Sequence, residues 1–163
     1  MVLAFSYPFM KRFTYWPQLF LGITFNWGII MSWAAVNNNI TQEIITLYIS
    51  AIFWTLGYDT IYGAQDMSED EIIGLKSTSI KFKENMLLFV SVCYLVTILS
   101  TFFLFIDFFG FNFFTFFLFT FFLSLIYQLI ELRKNNSENY LKLFKFNNMS
   151  GLILFISICS INL

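Results

Sequence analysis

The chain has 163 residues, 58% of them hydrophobic and 12% charged, with a formal net charge of −1 and a mean hydropathy of +0.72. Soluble domains carry about 25% charged residues, so this composition excludes a water-soluble fold and predicts a polytopic, all-α transmembrane helix bundle. No basic patch marks a nucleic-acid partner. The absence of His removes the commonest general base and metal ligand, and Cys93 and Cys159 stand in apolar runs without metal-ligand spacing.

A membrane helix needs roughly 20 mostly apolar residues. Residues 1–10 read as the latter half of a span, without the basic n-region or small-residue cleavage site of a removable signal. Within and after them comes Tyr7-Pro8-Phe9-Met10-Lys11-Arg12. Tyr7 and Lys11 are one helical turn apart, although Pro8 disturbs the local geometry. On its own residues the segment reads first as an interfacial anchor, with Tyr at the headgroups and Lys-Arg fixing orientation. Spans are expected at 18–36, 44–64, 86–106 and 108–130, and a shorter run, 149–163, spans if it recruits Leu143 to Phe146. The links between them are Asn37 to Glu43, the acidic stretch 65–85, a tight turn at Asp107 and the polar segment 131–142. The Phe-rich run 102–122 suits a lipid-facing helix. Asn26, inside the first span, reads as a helix–helix hydrogen bond or as a pocket donor. Trp16, Trp27, Trp33 and Trp54 read as interface belts or packing. The nine Lys and Arg fall in three links: Lys11 and Arg12; Lys76, Lys81 and Lys83; Arg133, Lys134, Lys142 and Lys145. Alternating spans bring those links to one side, the cytoplasmic side by the positive-inside rule.

The segment from Tyr58 to Glu71 holds five carboxylates, Asp59, Asp66, Glu69, Asp70 and Glu71. On one continuous helix, at about 100° per residue, Asp59, Tyr62, Asp66 and Asp70 share a face. A carboxylate beginning inside a span is costly and marks a functional site. Carboxylates at i, i+4 suit magnesium (Mg2+), a hard cation usually held by one or two carboxylates plus substrate phosphates. Downstream, Gly74, Lys76, Ser77 and Thr78 add a cation and hydroxyl donors. Acid, metal and lysine beside an apolar bundle suit a diphosphate headgroup with a greasy tail. Two other readings stay open on these residues: a solvated loop of mutually paired charges, against which Asp59 argues, and a non-catalytic membrane protein that binds lipid diphosphates or conducts cations.

Two blocks, Tyr7-Pro-Phe-Met-Lys-Arg-Phe-Thr-Tyr-Trp-Pro-Gln18 and Tyr58-Asp-Thr-Ile-Tyr-Gly-Ala-Gln-Asp66 with Asp70 and Gly74-Leu-Lys-Ser-Thr78, fit Y-x-x-x-K and D-x-x-Y-x-x-x-D-x-x-x-D followed by G-x-K-S-T. In that order they resemble the UbiA prenyltransferase family, and within it the branch acting on 4-hydroxybenzoate in ubiquinone synthesis. Phe146-Asn147-Asn148 with Gly151-Leu152 resembles the family's ending. The resemblance covers essentially the whole chain. It implies a helical bundle around a cavity open to the lipid bilayer of an inner membrane. It also implies two Asp-rich motifs facing the cytoplasm that hold Mg2+ on a polyprenyl diphosphate, and transfer of the prenyl group to the ring carbon ortho to the phenol. Related members use other aromatic acceptors. By position, Asp59, Asp66 and Asp70 would be metal ligands, with Asp59 alternatively a base. Asp59, Tyr62 and Lys76 would be catalytic, and Tyr7, Lys11, Arg12, Lys76, Ser77 and Thr78 would contact substrate. The chain departs from the family pattern at one point. The first acidic motif, Asn-Asp-x-x-Asp, is missing, because no Asn-Asp pair occurs. The expectation is therefore that residues 1–163 form the C-terminal portion of a single transmembrane domain, inactive alone; a separate N-terminal half that completes the bundle, a decayed remnant and a misplaced start stay open as alternatives.

Overall fold

The structure is a computed structural model that describes residues 9–134 and 139–161. Among these residues there is no strand, and five helical segments are long and apolar enough to cross a membrane. The first is built from α1 (Pro17–Phe25) and α2 (Trp27–Asn37), broken at Asn26. Pro17 suits the first turn of α1, where its missing N–H costs nothing. Asn38 ends α2 in a left-handed conformation, φ 52°. The chain then returns along α3 (Gln42–Gly63) and folds into two short helices, α4 (Met67–Ile73) and α5 (Thr78–Lys81). It crosses again as α6 (Met86–Leu104), turns through Ile106–Phe108, and comes back as α7 (Phe113–Arg133). Asn112 starts α7 by accepting a hydrogen bond from the Thr115 N–H at 2.9 Å. The last span is α8 (Tyr140–Cys159).

Two boundaries differ from the sequence expectation. The last helix begins at Tyr140 rather than 149, so Lys142 and Lys145 ride on its first turns. Lysine stems lie along apolar surface while the ammonium reaches water, so a cationic turn need not end a membrane helix. The fourth span begins at Phe113 rather than 108, because the 3-10 turn and the Asn112 cap intervene. The Phe-rich run is only half lipid-facing: Phe103, Phe116 and Phe119 point outward, whereas Phe114 and Phe121 are fully buried.

α3 is the hub, packing against α1, α2, α5, α6 and α8, while α7 pairs with α8. In lipid no hydrophobic force joins helices, so small residues and hydrogen bonds must do it. Ser50 on α3 meets the Thr101 hydroxyl at 2.9 Å and donates to the Thr97 carbonyl at 3.2 Å, both on α6. At Gly57 the two helices approach so closely that a Cβ would stand 2.5 Å from the ring of buried Tyr94. Gly57→Ala is therefore expected to destabilise the fold by about 1–3 kcal/mol. Thermal unfolding in detergent checks this, with Gly28→Ala, whose Cβ would meet nothing within 4 Å, leaving the midpoint unchanged or slightly higher.

The larger concavity, about 810 Å³ around the turn before α7, is lined by residues such as Phe111 and Phe116 and by no titratable side chain. It lies at the end of the bundle opposite the cationic links, and its polar lining, Asn112 and Thr115, is engaged in the cap of α7.

Candidate functional site

The acidic segment does not continue α3. The helix ends at Gly63, and α4 starts at Met67 with Asp66 before it. The single carboxylate stripe expected on one helix is therefore replaced by two elements, with Asp59 on α3 and Asp70 on α4. The break is enforced by what packs there. The segment 77–79 folds back onto the last turns of α3, where a Cβ on Gly63 would stand 2.6 Å from the Ser79 hydroxyl. Thr60 and Thr78 share a hydroxyl–hydroxyl bond of 2.7 Å, and Ser79 donates to the Thr60 carbonyl at 2.7 Å. The Thr78 N–H donates to the Gln18 side-chain oxygen at 3.0 Å.

These bonds engage two of the residues expected to contact substrate. Ser77 and Thr78, expected to contact substrate, are fully buried. The Ser77 hydroxyl accepts from the Ile80 N–H and starts α5, and that of Thr78 is held by Thr60. The Thr78 hydroxyl thus fastens the acidic link to α3 and its N–H fastens it to α1, while the Ser77 hydroxyl serves α5.

Lys11 closes the site from the other block. Its ammonium lies 3.0 Å from Asp70 Oδ2, and its carbonyl accepts from the Lys76 N–H at 2.7 Å. Residues 59 apart in sequence thus meet at one end of the bundle. Asp70 is 7% exposed and Asp59 is 9% exposed. Asp59 has no hydrogen-bond or ion-pair partner among the described residues, and the charge facing it is Lys11. Asp66 is half-buried, makes no capping bond to α4, and its side chain is likewise without a partner among the described residues. Arg12 is exposed. Lys76 lies over the Tyr15 ring at 5.5 Å, a cation–π distance. Tyr62 lays its ring 4.5 Å from that of Phe144 on α8. Glu71 is taken by Lys83 at 2.7 Å on the exposed side and so stands outside the cluster. Tyr7 lies outside the described residues. Among the described residues no three His, Cys, Asp or Glu side chains are gathered closely enough to hold a metal ion by themselves.

With the two blocks joined at Lys11 and Asp70, comparison with known proteins is decisive. The description "UbiA prenyltransferase family" matches residues 1–152. The chain belongs to the UbiA prenyltransferase family. It is 37% identical over 164 aligned positions to a Bos taurus protein named 4-hydroxybenzoate polyprenyltransferase, mitochondrial, covering 100% of this chain and 44% of that one. A Drosophila pseudoobscura pseudoobscura protein of the same name is 38% identical over 159 residues, 96% of this chain and 40% of its own. One from Arabidopsis thaliana is 50% identical over 92 residues, 56% of this chain and 23% of its own. The chain thus spans less than half the length of these relatives. Its fold is similar to the apo structure of a UbiA homolog from Aeropyrum pernix K1, with a TM-score of 0.78, 20% identity, and coverage of 97% of this chain and 60% of that one.

A second feature of this UbiA family member was not foreseen from its sequence. On the α8 side of the hub, Tyr94 on α6 donates to Gln128 on α7 at 2.7 Å, and the amides of Gln128 and Asn147 pair at 3.2 and 3.3 Å. Asn147 also accepts from the Trp54 indole N–H at 3.2 Å. Unpaired amides are costly in a span, so Gln128 in its apolar run and the Asn147-Asn148 pair were the available signal. The network fixes Trp54 at one side of a cleft of about 270 Å³ between the α1–α2 break, α3 and α8. Asn26 fulfils its helix–helix reading, which uses up the donor that the pocket reading required. Its Nδ2 donates to the Gly22 and Ala51 carbonyls and to the Thr55 hydroxyl, at 2.8, 3.3 and 2.8 Å, and it lines the cleft. Trp16 is packing rather than belt, edge-on to Phe82 and Phe89 beneath Lys81.

Proposed function

We propose that this chain carries the second acidic half of a magnesium-dependent site. That site transfers a polyprenyl group from polyprenyl diphosphate to the ring of 4-hydroxybenzoate in ubiquinone synthesis. The observation that carries the reading is the Lys11–Asp70 joint at the same end of the bundle as Asp59 and Asp66, carboxylates with no partner among the described residues. The names of the Bos taurus and Drosophila relatives supply the acceptor.

The residues fit a magnesium ion shared with substrate, because Mg2+ is commonly held by one or two carboxylates and phosphate oxygens rather than by an all-protein cage. Asp66 and Asp59 offer hard oxygen donors that no described side chain occupies, and Asp70 stands at the same end of the bundle. When bound, the ion supplies positive charge that stabilises the departing diphosphate.

Lys11, held by Asp70, and exposed Arg12 bind and orient the diphosphate, and Lys76 is the third cation at this end. The allylic C–O bond breaks, its electron pair leaving on the diphosphate. The ring carbon ortho to the phenol forms the new C–C bond with the allylic carbon, and its proton then leaves to restore aromaticity. Asp59 is the base we assign to that proton. The faces of Tyr58, Trp54 and Phe144 border the allylic cation and keep water from it. Tyr62 orients groups at the same rim, and Tyr7 remains a candidate contact.

We further assign the cationic end to the cytoplasmic face of an inner membrane, on the distribution of Lys and Arg. In a Cys159→Ser background, Asn38→Cys is expected to react with a membrane-impermeant maleimide from outside intact cells, and Glu69→Cys only after the membrane is opened. The reverse pattern would invert the topology.

Because these residues contain one Asp-rich motif and no Asn-Asp pair, we expect no turnover from them alone. Function is tested by co-expressing the chain with a polypeptide carrying the remaining length of its relatives, in cells lacking their own enzyme. Prenylated 4-hydroxybenzoate in the membranes supports the reading. Ion flux abolished by Asp59→Asn and Asp66→Asn, with no prenylated product, would favour a cation-conducting protein instead.

A further inference from the structure

We infer that the turn between α5 and α6 seats one membrane phospholipid whose headgroup carries a primary ammonium, with an acyl chain lying along the outer face of α6. The inference stands apart from the prenyl-transfer reading and holds or fails without it.

The apolar half of the site is a stripe on α6. Leu88, Val92, Leu95 and Leu99 recur at helical spacing and are 65%, 49%, 54% and 46% exposed, so one face of the helix carries them all. The opposite side, with Val90, Cys93, Tyr94 and Thr97, is buried in the bundle. At about 1.5 Å per residue, Leu88 to Leu99 covers roughly 16 Å. That is about half of a ~30 Å hydrocarbon core, the depth of a single leaflet. Such a stripe takes any acyl chain, so selectivity has to come from its head.

The polar half stands there. Glu84 precedes Leu88 by one helical turn within the span Lys83–Leu104, and residues 80–85 line a pocket of about 270 Å³. A cavity of about 150 Å³ takes benzene, so a phosphate with a two-carbon amine has room. Two lining side chains of opposite charge, Lys81 and Glu84, make no ion pair with each other or with any other described residue. Lys81 lies instead over the Trp16 ring at 4.5 Å and the Phe82 ring at 5.7 Å. The other lining cation, Lys83, is taken by Glu71 at 2.7 Å. The pocket therefore offers one ammonium and one carboxylate, kept apart.

That pair matches a zwitterion. Phosphate oxygens accept from Lys81 Nζ, and a primary ammonium donates to Glu84. An anionic glycerol headgroup loses the second contact and meets the Glu84 charge. A choline headgroup has no N–H to give, and its usual aromatic seat is occupied because Lys81 covers Trp16. Both charged side chains are solvent-exposed, so the preference expected is several-fold rather than orders of magnitude.

The test is native mass spectrometry of the 163-residue chain, released from nanodiscs of equal parts phosphatidylethanolamine, phosphatidylcholine and phosphatidylglycerol with identical acyl chains. Retained phosphatidylethanolamine is expected to exceed each of the others at least fourfold. Glu84→Gln should bring that excess below twofold, with phosphatidylglycerol gaining, whereas Glu69→Gln, an exposed charge change outside the pocket, should leave it intact. Lys81→Met should lower retention of all three at least threefold. Equal retention of the three lipids by the unaltered chain, a preference that survives Glu84→Gln, or one lost equally in Glu69→Gln overturns the inference. So does a dimer that retains no lipid, which would put a second copy on the face.

Discussion

Asp70→Asn, introduced into the chain co-expressed with its complement, is expected to lower kcat/KM for polyprenyl diphosphate by about 10²–10³-fold, the cost of removing one group that stabilises departing charge. Asp70 has two jobs in this geometry. It is one of the carboxylates available to a metal-bound diphosphate, and at 3.0 Å it holds the Lys11 ammonium in place. Asn keeps the shape and removes the charge, so both jobs suffer together. Lys11→Met should produce a loss of the same order through the second job alone. Because the two residues form one unit, the double variant should be much less impaired than the product of the single losses predicts. Additive losses would mean that Lys11 and Asp70 act separately, and that their contact only joins the N-terminal block to the acidic link.

Asp59→Asn should behave differently. A buried carboxylate without a partner is costly to keep charged, and among the described residues Asp59 is such a group. Its replacement by a neutral isostere is expected to leave the fold as stable or slightly more so, while kcat falls by about 10²–10⁴-fold, the usual contribution of a positioned base. KM for the diphosphate should change little. Unfolding in detergent together with steady-state kinetics checks both halves. A variant that loses stability and keeps kcat would make Asp59 a structural residue. A large rise in KM with kcat intact would make it a ligand of the diphosphate's metal rather than the base.

Much of this was legible in the sequence, for reasons particular residues make plain. Apolar length alone located the spans to within a few residues at Pro17–Asn37, Gln42–Gly63 and Met86–Leu104. The alternation of cationic and uncharged links brought Lys11 and the acidic segment to one end, and the Lys11–Asp70 contact joins them there. What the sequence did not disclose was where each polar atom goes. The motif around Gly74 and Lys76 names Ser77 and Thr78 but not their partners, and both hydroxyls turned out to serve Ile80 and Thr60. The acidic stripe looked continuous because nothing within 64–66 forbids a helix. The break comes from Ser79 and Gln18 packing on Gly63, residues distant in sequence. The cleft was invisible for the same reason, since Asn26, Thr55 and Asn148 reach it from three different elements.

The claim on which the account stands is that this end of the bundle binds a lipid diphosphate through magnesium. The most direct measurement is equilibrium binding of a polyprenyl diphosphate to the chain in nanodiscs, titrated with Mg2+. The account predicts that Mg2+ tightens binding at least tenfold, and that Asp66→Asn with Asp70→Asn erases this gain and leaves only a weak, magnesium-independent residue of binding by Arg12 and an unanchored Lys11. Binding of equal strength with and without Mg2+, or a gain that survives in the double variant, would contradict it.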